Sequence, residues 1–270
     1  MTDVAELSGA WNFRDVAGST DGTVKPGRLF RAGELSRLDD AGRALLVSLG
    51  LTDVADLRSA PEVLRHGPGL VPDGVTIHLL PFIEVPATDP ETEAPHEHAF
   101  QRLLTEKPDD ESMDHAAMRF MIDEYGRFAR SEGAQRAVRT VIRLLGSDRS
   151  VLAHCFAGKD RTGFTVAVVL EALGVDRDTV MGDYLDSNDA APLIRAHIME
   201  MINNRAGGEI PAETLEFTET RLSDDVLGVR AEYLDGAWRT IDEVYGSFAG
   251  YLRAAEVTED DLVSLRTALL

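Results

Sequence analysis

One short stretch of the chain combines residue types that can hold and attack an anion. It runs from Ser150 to Phe164 and reads SVLAHCFAGKDRTGF. Cys155 lies in it, and Lys159 and Arg161 follow shortly afterwards. A thiol close to cationic side chains and to a helix N-terminus is held as a thiolate at neutral pH, and a thiolate is a strong nucleophile. The stretch therefore predicts a nucleophilic cysteine beside a bound anion.

The same stretch predicts a loop between a buried strand and a core helix. The apolar residues 151–153 form the strand, and the apolar run after Arg161 ends at Gly174, as a helix commonly does. The first N–H groups of a helix have no partner within the helix, and the positive end of its dipole attracts anions. The expected phosphate-binding residues are Phe156, Ala157, Gly158, Lys159, Asp160 and Arg161.

Three residues of the loop have separate expected roles. The planar guanidinium of Arg161 can hold two phosphoryl oxygens at once, which a lysine cannot do. Gly158 lets the backbone approach the anion closely. The Thr162 hydroxyl could donate a hydrogen bond to the sulfur when a thiophosphate bond breaks. Alternatively, it is an ordinary hydroxyl in the first turn of the helix, without a catalytic role.

The order of these residues resembles a known enzyme family. The signature of cysteine-dependent protein phosphatases is His-Cys, five residues and Arg-Thr, and it matches His154-Cys155 and Arg161-Thr162. Asp160, directly before Arg161, makes the match to this class more specific. The chain resembles the bacterial tyrosine/serine and phosphoinositide phosphatase family. Further matching motifs are Asn12-Phe-Arg-Asp15, Arg28-Leu-Phe-Arg31, Asp56-Leu-Arg58, Asp183-Tyr-Leu185, Ser187-Asn188, Tyr245-Gly-Ser247 and Tyr251-Leu-Arg253.

The resemblance implies a protein-tyrosine-phosphatase-like fold and phosphoester hydrolysis through a phosphocysteine, without a metal or another cofactor. The implied substrates are phosphotyrosine proteins, with phosphoserine and phosphothreonine as further candidates, and phosphoinositides. Cys155, Arg161 and Asp160 are the expected catalytic residues. With Lys159, the loop resembles the basic loops of phosphatases that accept phosphoinositides. We therefore expect Lys159 to contact a second phosphate.

Two carboxyl groups compete for the role of general acid. Asp160 lies in the loop itself, as in the myotubularin-like and Sac-like lipid phosphatases that the loop resembles. Glu84 follows a predicted strand, roughly where related phosphatases offer an acid from a separate loop, although the usual residue there is Asp. We favour Asp160, whose structural alternative is to hold Arg161 or the backbone amides in place. Glu84, Thr162 and His154 remain candidate supporting residues.

Alternating strands and helices surround the loop. The pattern predicts strands at 29–31, as an edge strand, and at 51–57 and 75–80. This rhythm indicates an α/β fold with a central, mostly parallel sheet flanked by helices. Since ligands of such sheets bind beyond the carboxyl ends of the strands, we expect several polar residues at one rim. These are Asp56, Arg58 and Glu84, together with Phe82 and Cys155. The predicted helices include 118–128, 133–145 and 177–185, with Tyr125 in the core rather than in contact with substrate.

The 270 residues fit a single phosphatase domain spanning 1–270. Residues 84–114 are acidic and rich in proline, which predicts a mobile insertion. Residues 191–270 are expected to form a helical C-terminal part. Its methionine-rich segment 192–222 is predicted either to cover the site as a lid or simply to pack within the helical part.

Composition limits the partners and the compartment. The chain has 27 Lys and Arg against 47 Asp and Glu, a net charge of −20, so nucleic acid and anionic membrane surfaces are poor partners. No stretch is long and uncharged enough for stable membrane insertion. The single cysteine and the absence of a recognisable signal segment predict a cytoplasmic protein, or one exported without a cleavable signal peptide. The sequence leaves the oligomeric state open.

Two other function classes fit part of the pattern. A rhodanese or an arsenate reductase also carries a thiolate loop, but the Thr162-Gly163 continuation favours a phosphatase. A catalytically silent module that only binds phosphorylated ligands would not need Cys155, Asp160 and Arg161 together. The phosphatase interpretation is therefore preferred over both.

Overall fold

A five-stranded sheet lies at the centre of the protein. The computed structural model describes residues 6–85, 113–206 and 227–270. The strands are β1 (Arg14–Asp15), β2 (Leu29–Ala32), β3 (Asp53–Asp56), β4 (Thr76–Leu79) and β5 (Val151–His154), in the spatial order β1-β2-β5-β3-β4. β1 is antiparallel to β2 and all other neighbours are parallel. The predicted α/β class with a mostly parallel sheet is confirmed.

Helices cover the sheet and form the C-terminal part. Their bounds are α1 (Asp40–Ser48), α2 (Ala60–His66), α3 (Met113–Arg130), α4 (Glu132–Gly146), α5 (Asp160–Leu173), α6 (Arg177–Leu185), α7 (Ala191–Ala206), α8 (Ala231–Tyr245), α9 (Phe248–Ala254) and α10 (Glu259–Leu269). Val16–Ser19 and Asp186–Ala190 are 3₁₀ helices. In the part of the chain that the structure describes, no helix has the length and apolar character needed to cross a membrane.

β3 and β5 bury both faces because their residues alternate between two cores. Val151 and Ala153 of β5 pack into the larger core, which includes residues of α4, α5 and α8. Leu152 points to the opposite face and joins the smaller core with Val54 and with Leu46 of α1. Burial on both faces is typical of a parallel sheet covered by helices.

The parallel register brings the carboxyl ends of the strands to one edge. His154 at the end of β5 lies opposite Ala32 of β2 and Asp56 of β3, and Asp56 lies opposite Leu79 of β4. The chain leaves this edge after β5 to form the loop that carries Cys155. Of the residues predicted to gather at one rim, Asp56 and Arg58 lie there beside the loop of Cys155. Phe82 is buried in the larger core, and Glu84 is exposed and pairs with Arg136.

Two local expectations differ from the structure. β2 was expected at the edge but is internal, because it pairs with β1 on one side and with β5 on the other. α2 was not predicted, since seven residues hold too little periodicity to reveal a helix. The Ser59 capping box and Pro61 fix its start.

Most of the predicted insertion and part of the predicted lid lie outside the described residues. This applies to 86–112 of the insertion and to 207–222 of the lid. The described part of the lid segment is helical and belongs to α7. Ile194 of α7 packs in one cluster with Trp11 and Ala157, and Phe156 packs against that cluster.

Candidate active site

The loop after β5 turns sharply and places Cys155 at the foot of α5. Cys155 is only 2% exposed. Gly158 has φ +70°, and a Cβ atom there would lie 2.3 Å from the carbonyl oxygen of Ala32. Glycine is therefore required both by the backbone conformation and by the close approach to β2. Lys159 provides no side-chain cap to α5, so the first N–H groups of the helix are left to face the loop.

Side chains and backbone from the N-terminal part of the chain hold the outside of the loop. The Asn12 amide donates to the carbonyl of Gly158 at 2.9 Å, and Arg31 donates to the same oxygen at 2.9 Å. The backbone N–H of Glu34 donates to the carbonyl of Phe156 at 2.9 Å. These bonds turn the loop carbonyls outward, which leaves its N–H groups directed to the interior.

A buried ion cluster fixes Arg31 in turn. Its guanidinium pairs with Asp183 of α6, and Arg14 donates to the same carboxylate at 3.1 Å. Burial opposes the charge of Asp183, but the two arginines outweigh it and lower the pKa of this carboxyl. Burial, with Arg31 beside it, lowers the pKa of Arg14 to about 10. Ser187 accepts a further bond from Arg31 at 2.9 Å.

Arg161 is held in place by a carboxylate that the sequence analysis did not single out. Its two terminal nitrogens donate to the two oxygens of Glu62, each at 2.8 Å. Burial disfavours the charged guanidinium, yet Glu62 outweighs this and raises the pKa of Arg161. The two parallel bonds fix the plane of the guanidinium. The sequence signal was the capping box Ser59-Ala-Pro-Glu62, which places Glu62 in the first turn of α2.

Lys159 lies in the loop but has a backbone partner in this structure. Its ammonium donates to the carbonyl of Gly228 at 3.0 Å and lies 3.8 Å from a carboxylate oxygen of Asp160. Lys159 is 8% exposed. Its charge therefore adds to the loop, while its direct contact is with the segment that precedes α8.

The two candidate acids have different surroundings. Asp160 begins α5, its side chain is 22% exposed, and it accepts a hydrogen bond from the Tyr125 hydroxyl at 3.1 Å. Glu84 is 71% exposed and pairs with Arg136 of α4 at 2.6 Å. Asp160 is thus part of the loop architecture, whereas Glu84 is bound by a helix that does not contribute to the loop.

His154 and Thr162 flank the loop, and both are fully buried. The imidazole of His154 donates from Nδ1 to the carbonyl of Cys155 at 3.3 Å, and its Nε2 lies 3.6 Å from Asp56. Burial lowers the pKa of His154 more than Asp56 raises it, which favours the neutral ring. Among the described residues, the Thr162 hydroxyl has no hydrogen-bond partner.

Comparison with known proteins identifies the chain. The profile of the tyrosine phosphatase family matches residues 5–270. The chain belongs to the tyrosine phosphatase family. It is 57% identical to the triple specificity protein phosphatase PtpB of Mycobacterium tuberculosis over 99% of both chains. It is 32% identical to a putative tyrosine-protein phosphatase of Cupriavidus necator, over 96% of this chain and 85% of the relative.

This member of the tyrosine phosphatase family also has a second layer of buried charge at the sheet edge. Arg58 donates to both oxygens of Asp56, at 2.9 and 2.8 Å, and lies 3.4 Å from Glu34. Asp56 and Arg58 were expected at the rim, and the structure places them there. His197 of α7 lies 3.4 Å from the other oxygen of Glu34, so this carboxylate connects α7 to Arg58. The backbone N–H of Glu34 binds the loop at the carbonyl of Phe156.

Proposed function

We propose that this protein hydrolyses phosphoesters through a phosphocysteine formed on Cys155. The observation that carries the proposal is that Cys155 and the Glu62-bound Arg161 share one loop at the N-terminus of α5. Such a loop offers oriented N–H groups and a fixed bidentate cation to a phosphoryl group. Membership of the tyrosine phosphatase family supports the same reaction.

The expected reaction is a double displacement. The Cys155 sulfur attacks phosphorus, the bond to the leaving oxygen breaks, and that oxygen takes a proton from Asp160. Water then attacks the phosphocysteine, gives a proton back to Asp160 and releases inorganic phosphate, which restores the thiolate. Arg161 and the loop N–H groups stabilise the equatorial oxygens in both steps. The hydroxyl of Thr162, which has no hydrogen-bond partner in the described parts of the chain, is suited to stabilise the sulfur as it leaves.

We assign the proton transfer to Asp160 rather than Glu84. Asp160 begins the same helix as Arg161, whereas the carboxylate of Glu84 is exposed and bound to Arg136. Asp160→Asn should lower kcat by about 10²–10⁴-fold for aryl phosphates with poor leaving groups and much less for activated ones. Glu84→Gln should leave both rates within about twofold. Equal losses across leaving groups in Asp160→Asn would reassign that residue to structure.

The proposed substrates are phosphotyrosine proteins, phosphoserine or phosphothreonine proteins, and phosphoinositides. The Mycobacterium tuberculosis relative is named a triple specificity protein phosphatase, which supports a broad range for this chain. Rates on phosphotyrosine, phosphoserine and phosphoinositide substrates should be compared side by side at equal enzyme concentration. Phosphate release from p-nitrophenyl phosphate without sulfur transfer separates this activity from that of a rhodanese.

Cys155→Ser provides the decisive test of the mechanism. The variant should lose measurable turnover and still bind inorganic phosphate, since the loop N–H groups and Arg161 remain. Alkylation of the wild-type protein, which has a single cysteine, should abolish activity as well. Retained turnover after either change would exclude a phosphocysteine mechanism.

Lys159 is the proposed site of contact with a second phosphate. For this role its ammonium would exchange the Gly228 carbonyl for a phosphate oxygen. Lys159→Ala should then weaken phosphoinositide hydrolysis by more than it weakens phosphotyrosine hydrolysis. Equal losses on both substrates would remove this role.

We further propose one phosphatase domain over residues 1–270 with α7 as part of a cover over the loop. The contacts of Ile194 with the Trp11 and Ala157 cluster support this arrangement. Because the proposed nucleophile must stay reduced, a reducing compartment suits the protein best.

A further inference from the structure

Two buried tyrosines form a hydrogen-bonded chain that ends on the proposed acid. The Tyr184 hydroxyl of α6 donates to the Tyr125 hydroxyl of α3 at 2.7 Å, and Tyr125 donates to Oδ1 of Asp160 at 3.1 Å. Tyr125 is 0% exposed and Tyr184 is 1% exposed. The chain therefore connects three helices at a point where the core meets the loop.

The two hydrogen-bonded tyrosines contact the loop by packing as well as by hydrogen bonds. Gly163 lies in the first turn of α5, and a Cβ atom there would approach the Tyr184 ring to 2.9 Å. The rings of Tyr125 and Tyr184 meet edge to face with centroids 6.0 Å apart. The Tyr184 ring therefore packs closely on the first turn of α5, and the Tyr125 ring packs on Tyr184.

Another buried tyrosine shows that core packing alone does not require such a bond. Tyr251 of α9 is also 0% exposed, and its hydroxyl has no hydrogen-bond partner among the described residues. Its ring still packs edge to face against Phe164 at 6.3 Å. The hydroxyl of Tyr125, by contrast, is directed at one oxygen of Asp160.

The bond to Oδ1 determines which oxygen of Asp160 can reach a substrate. Oδ2 is the oxygen on the side of Lys159, 3.8 Å from its ammonium. A carboxyl held through one oxygen presents the other in a fixed direction, and proton transfer depends steeply on that direction. The hydroxyl also donates to the carboxylate that remains after the proton has left, and such a bond to a charged acceptor is strong in a buried site.

Tyr125 is not suited to supply the proton itself. Burial, together with the neighbouring Tyr184 and Asp160, raises the pKa of Tyr125 well above its ordinary value of 10.0. Burial likewise raises the pKa of Tyr184. Both hydroxyls therefore remain donors at neutral pH, with Lys159 and Arg161 as the cations near Asp160.

We propose that Tyr125, supported by Tyr184, is a positioning residue that holds Asp160 through Oδ1 so that Oδ2 exchanges the proton with the leaving oxygen and with water. This inference rests on the proposed function, in which Asp160 is the acid and base. It adds two residues, one of α3 and one of α6, that act through Asp160.

The first test compares Tyr125→Phe with Tyr251→Phe, since each change removes one buried hydroxyl and keeps the ring. Tyr125→Phe should lower kcat on phenyl phosphate by about 10- to 100-fold with KM within twofold, the loss expected for one hydrogen bond to a charged group. The loss on p-nitrophenyl phosphate should be clearly smaller. Tyr251→Phe should retain the wild-type kcat on both substrates. Wild-type kcat in Tyr125→Phe, or equal losses on both substrates, would overturn the proposal.

The second test asks whether Tyr125 acts through Asp160. In an Asp160→Asn background, Tyr125→Phe should cause no further loss, because the proton that it positions is absent. A full additional loss would show that Tyr125 acts by another route. If Asp160→Asn alone loses equally on all leaving groups, the assignment of the acid fails and this inference fails with it. If Asp160→Asn behaves as an acid variant while Tyr125→Phe is unchanged, only this inference fails.

A third variant guards against a folding defect in Tyr125→Phe. Tyr184→Phe leaves the bond to Asp160 in place and removes only the supporting donor. It should lower kcat on phenyl phosphate by about two- to tenfold, as expected for one neutral hydrogen bond. If Tyr125→Phe folds, an unchanged kcat in Tyr184→Phe would limit the positioning role to Tyr125. If Tyr125→Phe does not fold, an unchanged kcat in Tyr184→Phe would overturn the proposal.

Discussion

Individual side chains at this site are fixed by charges that lie outside the signature sequence. Arg161 alone could adopt many rotamers, and Glu62 selects one of them through two parallel bonds. The partner is far away in sequence and lies in a helix of seven residues. The signature therefore predicts which residues react, whereas the structure shows what orients them.

Glu62→Gln should weaken catalysis through Arg161. The amide can accept only one of the two guanidinium bonds and carries no charge, so we expect kcat/KM on p-nitrophenyl phosphate to fall by about 10- to 100-fold. Glu200→Gln is the matched control, because Glu200 also binds an arginine, Arg37, through both oxygens but is about half exposed. Equal kcat/KM values in the two variants would contradict the orienting role of Glu62.

His154 makes stability depend on pH in a predictable direction. Because burial lowers its pKa in the folded protein, the unfolded chain takes up a proton near pH 6.5 that the folded protein does not. The stabilisation is present in full above pH 6.5 and is lost as pH falls toward the lowered folded value. The loss is at most about 1.4 kcal/mol per pH unit for this residue.

This prediction is checked by urea unfolding of the wild type and of His154→Gln at pH 7.5, 6.5 and 5.5. The free energy of unfolding should fall less steeply with acidification in the variant. The pKa of His66 is also lowered, mainly by burial, but His66 is present in both proteins and cancels in the difference. Parallel curves would show that His154 titrates alike in the folded and unfolded states.

At the scale of the elements, the loop depends on one backbone conformation. Gly158→Ala combines a positive φ with a Cβ atom 2.3 Å from the backbone of β2, so either β2 or the loop must shift. We expect loss of most phosphatase activity, by more than about 100-fold, since a shift of about 1 Å at a catalytic loop has such an effect.

Gly22→Ala is the control for this change. Gly22 also has a positive φ, +81°, but a Cβ atom there would meet nothing within 4 Å. The variant should lose about 1 kcal/mol of unfolding free energy and keep its activity. Comparable kcat values for the two alanine variants would show that close packing against β2 does not shape the loop.

The sequence was sufficient for those elements that carry their own pattern. The strand before Cys155, the helix ending at Gly174 and the two helices before β5 were all predicted, because burial and periodicity are visible locally. The prediction that β2 lies at an edge was wrong, because the sequence of a strand does not show which strands pair with it. α2 and Glu62 were missed because the only signal was a capping box.

At the scale of the whole molecule, Asp183 pairs with two arginines that come from β1 and β2. Asp183→Asn would leave Arg14 and Arg31 close together without their shared anion. Removing one partner from a buried ion pair costs about 3–5 kcal/mol, so we expect a loss of this size in unfolding free energy. Asp148→Asn removes an exposed partner of Arg28 and should cost less than about 1 kcal/mol. Chemical denaturation of both variants measures the difference, and equal losses would contradict the clustered role of Asp183.

The net charge is −20, but several cationic side chains lie at the sheet edge that carries the loop, with Lys159 and Arg161 in the loop itself. Arg31, Arg58 and Arg161 are all buried there, and each is bound to a carboxylate. The sequence suggested that charge at the site is local, but it could not show these pairs, since their members lie on different elements. The pairing is a property of the tertiary structure.

The hydrogen bonds that Asn12 and Arg31 donate to the Gly158 carbonyl also determine when the loop is completed during synthesis and which fragments of the protein can function. Asn12 and Arg31 leave the ribosome long before the loop does, whereas Asp183 and Ser187, which complete the cluster around Arg31, leave after it. The anion-binding loop is therefore completed only after residue 187 has emerged from the ribosome. No fragment that lacks either residues 12–31 or residues 183–187 should be a functional minimal unit.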